Sequence, residues 1–265
     1  MRQARPTVAD LRSMKGKRQL TMLRVLTLEE AEAADKAGVD IVSVPPELVC
    51  DPRYRDAAPN LFTMPGDNFY EIGTADDFVR WAFRVYKASA DAVYCSASLA
   101  TIRRMADEAI PVVGHVGLIP SRATWTGGFK AVGKTAEQAM HVFEAVRQLE
   151  AAGAVGAEIE VVPVEVATAI SQRTSLIMLS MGAGAGCDAQ YLFADDILGQ
   201  TKGHVPRHSK VYRNFAAEYE RLQSERIAAF REYVGDVASA AYPEGRHVVN
   251  MDAAELQRFQ QMLDR

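Results

Sequence analysis

Two rhythms of apolar residues alternate along this chain. The short continuous runs "LTMLRVL" (20–26), "VDIVSV" (39–44), "DAVYCS" (91–96), "IPVVGHVGL" (110–118), "GAEIEVVP" (156–163) and "SLIMLSM" (175–181) predict buried strands. Between them, apolar residues recur at helical spacing. "TLEEAEAADKAG" (27–38) predicts a helix capped by Thr27, with acids in its first turn and Gly38 as its stop. "TADDFVRWAFRVYKASA" (74–90), "SLATIRRMADEA" (98–109), "TAEQAMHVFEAVRQLEAAGA" (135–154) and "VEVATAISQR" (164–173) predict further helices, with Thr74 and Thr135 as caps.

Other stretches break both rhythms. Pro45 and Pro46 end the strand 39–44, because proline cannot donate to a sheet ladder. From Cys50 to Tyr70, Pro52, Pro59, Pro65 and Gly66 predict irregular chain, and residues 119–134 and 182–190 read as loops of small residues. Beyond residue 205 the pattern turns mainly helical. Strands and helices alternate roughly every 25 residues, which predicts an α/β fold with a parallel sheet and, at this length, a (β/α)8 TIM barrel. The expected organisation is a single barrel domain over 1–265 with a helical C-terminal extension.

Composition narrows the function classes. Of 265 residues, 48% are hydrophobic and 24% charged, with a formal net charge of −4, so no polybasic footprint points to nucleic acid or an anionic membrane. Cys50, Cys95 and Cys187 lack metal-ligand spacing and suggest reduced thiols. With no apolar run of membrane-span length and no signal-like segment, the expected location is cytoplasmic.

In a (β/α)8 barrel the chemistry sits at the C-terminal strand ends. Those ends offer Glu47, Asp67 or Glu71, the Tyr94–Ser96 stretch, His115, Glu158 with Glu160, and the 182–186 loop. His115 interrupts an apolar strand between glycines, as an active-site imidazole or as a satisfied core histidine. Glu158 and Glu160 share one strand face, where a pair of acids is costly to bury without partners and can act as a general base. "MGAGAGCD" and "TGGFKAVGKT" lack the spacing of nucleotide-binding loops. Cys95 and His115 fall on neighbouring strand ends, which supplies proximity without implying a nucleophile–base pair.

The segments "IPVVGHVGLIPSRATWTGGFKAVGKT", "EIEVVPVEVATAIS", "LSMGAGAGCDAQYLFADDILG" and "GHVPRHSKVY" together resemble ketopantoate hydroxymethyltransferases. The resemblance runs from about residue 7 to 247 and implies a barrel of the phosphoenolpyruvate-binding superfamily, commonly a decamer of two pentameric rings. It implies transfer of a hydroxymethyl group from methylenetetrahydrofolate to 3-methyl-2-oxobutanoate, with Mg²⁺ as Lewis acid. The family motif "LECVP" matches "IEVVP" and places the proton-transfer glutamate at Glu160. "GHIGL" places the histidine at His115, and "GGYK" matches Gly127 to Lys130.

The metal shell is not retained. Where the family has "VGDSLG" this chain has "VPPELV", with Pro46 on the aspartate and Glu47 on the serine. "ADLPF" falls on "FTMPGDNF", with Met64 or Gly66 on the aspartate, and "KLEGG" on "YCSAS", with Ser96 on the acid and Tyr94 on the lysine. Glu47 and Asp67 are the acids left nearby as weak substitutes. Expected site residues are therefore Glu160 and His115 as catalytic groups, and Tyr94, Ser96, Glu47, Lys130 and Ser43 around a small 2-oxo acid. Metal dependence is expected to be altered or lost, with fixed donors such as Tyr94 and main-chain N–H groups in the cation's place. Two further readings stay open: a genuine 3-methyl-2-oxobutanoate hydroxymethyltransferase with a rearranged metal site, and a catalytically silent barrel that keeps a ligand pocket.

Overall fold

The computed structural model describes residues 5–66 and 72–264. Eight parallel strands form one sheet: β1 (Leu20–Arg24), β2 (Ile41–Val44), β3 (Phe62–Pro65), β4 (Val93–Tyr94), β5 (Val112–Gly117), β6 (Gly156–Glu160), β7 (Ile177–Met181) and β8 (Ala189–Phe193). Their order is β3-β2-β1-β8-β7-β6-β5-β4, which brings β3 and β4 to the two edges of a nearly closed barrel. The seam is bridged where Asp91 N donates to Thr63 O at 2.9 Å, while the Asp91 carboxylate accepts from Thr63 N at 2.8 Å and from Arg55 Nη2 at 2.9 Å.

Two of these strands were not predicted. β3 lies in the stretch that its prolines mark as irregular, and Pro65 fits there as the last residue of the strand. β8 follows β7 after only the loop 182–188, with no helix between them. That short parallel connection depends on small residues. Gly182 and Gly184 take φ of +68° and +84°, and a Cβ on Gly186 would stand 1.8 Å from Thr168 Oγ1.

The predicted helix starts are built as capping chemistry requires. Thr27, Thr74 and Thr135 each accept a hydrogen bond from the backbone N–H three residues on, and Asp77 completes a capping box with Thr74. The helix Ala75–Lys87 buries Phe78, Trp81, Ala82 and Val85, a stripe at helical spacing against the outer sheet face.

Side chains alternate across each strand, so every second residue points into the lumen. The lower lumen is apolar: Leu20, Met22, Ile41, Phe62, Met64, Val113, Ile177 and Leu179 form one cluster, which Leu11 of the helix Val8–Met14 joins. Continuing five of the strands by two residues changes their chemistry. Met22 is followed on the same face by Arg24, Ile41 by Ser43, Met64 by Gly66, Ala92 by Tyr94 and Val113 by His115. The barrel thus has a dry floor and a polar upper layer at its C-terminal mouth.

The chain divides into two compact units, Met1–Arg213 and Asn214–Arg265. The first holds the barrel. The second contains the helices Phe215–Ala238 and Ala253–Leu263, with a 3-10 turn at Gly245–His247. Among the described residues, no helix is long and apolar enough to cross a membrane.

Candidate active site

A cavity of about 830 Å³ opens at the C-terminal strand ends. Arg24, Ser43, Tyr94, Ser96, Glu158 and Glu160 line it together with His115. Five different strands or their ends supply these residues, which is why sequence distance hides their proximity.

The centre is a chain of contacts from β4 to β6. Tyr94 Oη and His115 Nδ1 share a hydrogen bond, and the two rings meet edge to face at 5.8 Å. His115 Nε2 lies 3.2 Å from Glu160 Oε2. That approach misses the alignment of a hydrogen bond, which leaves a buried ring nitrogen without a well-directed partner. Gly117 makes the approach of β5 to β6 feasible. Its φ is +85°, a Cβ there would fall 2.4 Å from Glu160 O, and Leu118 N donates to that same oxygen at 2.9 Å.

Burial sets the electrostatics. Removal from water pushes Glu158 up to about 7, and the like charge of Glu160 adds to the shift, while His115 and Arg24 oppose it. For His115, burial disfavours the imidazolium. The carboxylates of Glu158 and Glu160 outweigh that cost and raise its pKa. As imidazolium, His115 donates from Nδ1 to Tyr94 and turns its Nε2–H toward Glu160. The cluster therefore holds protons at neutral pH and can exchange them with a bound molecule.

Tyr94, Ser96, Ser43, His115 and Glu160 all reach the cavity. Two expected contacts do not. Pro46 begins the short helix Pro46–Val49, whose Pro46, Leu48 and Val49 pack inward, so Glu47 projects to solvent and is absent from the cavity wall. Lys130 is also exposed, and its neighbour Phe129 lines the cavity instead. Asp67 and Glu71 lie outside the described residues. Sequence reasoning did not single out Arg24, although it is the upper lumen-facing position of β1.

The positions aligned with the family's metal ligands do not fit a cation. Pro46 offers no side-chain donor, Met64 is buried in the apolar floor, and Gly66 has no side chain. The space beside Gly66 is taken by a positive group, since a Cβ there would stand 3.2 Å from Arg24 Nη1. A different set does fit. His115, Glu158 and Glu160 each offer one ligand atom, all within 4.8 Å of one another and all buried, and His115 Nε2 is the atom that lacks an aligned partner. An imidazole with two carboxylates suits Mn²⁺, Fe²⁺ or Zn²⁺ better than Mg²⁺, which prefers an octahedron of oxygens.

Eight parallel strands in this order define a (β/α)8 TIM-barrel fold, and the solved structures that superpose on this chain share it. A 2,3-dimethylmalate lyase of the PEP mutase/isocitrate lyase superfamily matches with a TM-score of 0.50 at 13% identity, covering 95% of this chain and 93% of the other. A phosphonopyruvate hydrolase, solved with oxalate and Mg²⁺, matches with a TM-score of 0.51 at 12% identity and 98% coverage of both chains. Within that class the chain belongs to the ketopantoate hydroxymethyltransferase family, whose model matches residues 62–245. The 3-methyl-2-oxobutanoate hydroxymethyltransferase of Nitratidesulfovibrio vulgaris is 29% identical over 287 residues, spanning 98% of this chain and 90% of the relative. That of Nitrosopumilus maritimus is 28% identical over 283 residues, spanning 97% and 98%.

Proposed function

We propose that this barrel converts a small 2-oxo acid of the 3-methyl-2-oxobutanoate type to its enolate and adds a one-carbon unit to it, with altered metal dependence. The observation that carries the reading is the buried Glu160–His115 pair, 3.2 Å apart at the cavity wall, which fits the roles that the family resemblance leads us to expect of these two residues. Glu160 takes the proton from C3, and the C–H electron pair moves through the new C=C bond onto the carbonyl oxygen. His115, held by Tyr94, donates a hydrogen bond to that oxygen as its charge develops. Methylenetetrahydrofolate is the expected donor: water takes its methylene as formaldehyde, both C–N bonds break and tetrahydrofolate leaves. The enolate carbon adds to that formaldehyde, whose oxygen takes up a proton and becomes the new hydroxyl. The protein is expected to work in the cytoplasm as a homo-oligomer.

A second reading is favoured by the His115–Glu158–Glu160 cluster: a 3-methyl-2-oxobutanoate hydroxymethyltransferase whose cation has moved to these residues. A divalent ion held there would supply Lewis-acid stabilisation of the substrate oxygens. It would also remove Glu160 from the role of free base.

Deuterium uptake at C3 of 3-methyl-2-oxobutanoate in D₂O separates the two. The first reading expects exchange in EDTA, reduced by Glu160→Gln by about 10²-fold or more. Exchange that appears only on adding Mn²⁺ or Mg²⁺ selects the second. Absence of exchange under both conditions, with no 2-oxo acid bound, leaves a silent barrel.

A further inference from the structure

We propose that Arg24 is the anion anchor of this cavity. Its guanidinium receives the carboxylate of the substrate and supplies in fixed form a positive charge that the lost metal ligands can no longer hold. The inference rests on the 2-oxo acid reading above and adds which residue recognises the acid.

Arg24 ends β1, so its side chain enters the lumen at the mouth. Nη1 donates to Ser43 Oγ at 2.9 Å and approaches Val44 O at 3.4 Å, which ties one branch of the fork to β2. Gly66 on the far side carries no Cβ, and that leaves the guanidinium its space. Among the described residues, Nε and Nη2 make no hydrogen bond, and no carboxylate lies within the 4.0 Å of an ion pair with Arg24. A half-buried guanidinium with a tethered branch and free N–H groups is costly to hold in a protein without an anion partner. Its planar fork matches a carboxylate through two parallel hydrogen bonds.

The surroundings fix what that anion can be. Glu158 and Glu160 stand on the same cavity wall, so a ligand must present its negative end to Arg24 and an uncharged or electron-accepting end to the acids. Arg24 is near enough to Glu158 to lower its pKa against its burial. A 2-oxo acid has this polarity, with a carboxylate at one end and a C–H acid beyond the carbonyl. Phosphate or a dicarboxylate would bring its second charge against the glutamates.

The test is calorimetric titration in EDTA with three probes of similar size. They are 3-methyl-2-oxobutanoate, 3-methylbutanoate, which lacks the oxo group, and 3-methylbutan-2-one, which lacks the carboxylate. Wild type is expected to bind both acids, and Arg24→Met to weaken both by about 30-fold while leaving the ketone unchanged, as loss of a charged hydrogen-bonded pair requires. Circular dichroism checks the fold. If Arg24→Met does not fold, Arg24→Gln, which keeps a donor for Ser43, is expected to show the same selective loss. Acid binding in the variant within about threefold of wild type overturns the anchor. So does acid binding that appears only with added Mg²⁺ or Mn²⁺. Carboxylate binding through Arg24 without C3 exchange leaves the anchor standing and removes the enolate reading, and exchange that ignores Arg24 does the reverse.

Discussion

Glu158 is a buried acid whose proton affinity is set by its removal from water. Its folded pKa, raised by burial to about 7 from 4.5, means that the folded protein keeps a proton the unfolded chain releases. Stability from this group is full below about pH 4.5, falls as pH rises toward 7, and is flat above, a loss on the order of 3 kcal/mol. His115, also raised, acts in the same direction, since its contribution is present in acid and disappears as pH climbs through its folded pKa. The denaturation midpoint of the protein in EDTA should therefore drop between pH 5 and pH 8, and Glu158→Gln should flatten most of that drop. A wild-type midpoint that rises over this range contradicts the buried protonated acid. Thiol chemistry gives a second check. Cys50 is exposed, Cys95 is buried, and burial pushes Cys187 up to about 12, so one thiol of three should react readily with a disulfide reagent at pH 8. Two fast thiols would mean that the barrel wall is open. His115 and Glu160 could be singled out in the sequence because each is a polar residue inside an apolar run and falls on a family motif, although a histidine there also reads as a satisfied core residue. Arg24 was not singled out, since one arginine in "LTMLRVL" also reads as a strand's solvent-facing position. Only the closed barrel shows that the alternation Leu20, Met22, Arg24 runs up the lumen.

At the scale of elements, the site depends on how closely β5 and β6 can approach. Gly117 turns the chain at positive φ against Glu160 O, where no Cβ has room. Gly117→Ala should lower stability by about 2 kcal/mol or more and reduce C3 exchange, because relief of the clash moves the backbone that carries Glu160. Unchanged thermal stability and unchanged exchange would show that the approach is loose. The same local view explains which elements the chain announced in advance. Strands such as β5 and β6 and the threonine-capped helices carry strong periodic or capping signals. β3 has four residues, one of them Pro65, and the irregular residues before it mask its period. β8 follows a glycine loop where a helix is the ordinary link between parallel strands, so the expected unit length fails there. Glu47 illustrates the limit of aligning acids by position. Pro45 and Pro46 turn the chain into a short helix whose buried face is set by Pro46, Leu48 and Val49, and the acid is left facing water.

For the whole molecule, the unit Asn214–Arg265 raises a question of solvent. Its helix Phe215–Ala238 has no buried residue, yet Phe215, Tyr219, Leu222, Phe230, Tyr233 and Val237 recur at helical spacing along it. The helix Ala253–Leu263 repeats the pattern with Leu256, Phe259 and Met262, and Phe230 and Met262 are 69% and 65% exposed. A helix in water is held mainly by packing of such a stripe, so each of these two calls for an apolar partner surface. Association between copies of this chain would cover both stripes, in line with the homo-oligomer that the family resemblance leads us to expect. Sedimentation equilibrium should accordingly return a mass several times the 29.0 kDa of one chain. Replacing Phe230 and Tyr233 together by Glu should shift the protein toward the single-chain mass, since two charges in an apolar interface cost several kcal/mol per copy. The barrel should keep its far-ultraviolet spectrum in that variant, because both positions lie outside the unit that holds the strands. A wild-type protein that stays at 29.0 kDa over the accessible concentration range would leave the stripes without a homotypic partner and end the oligomer expectation.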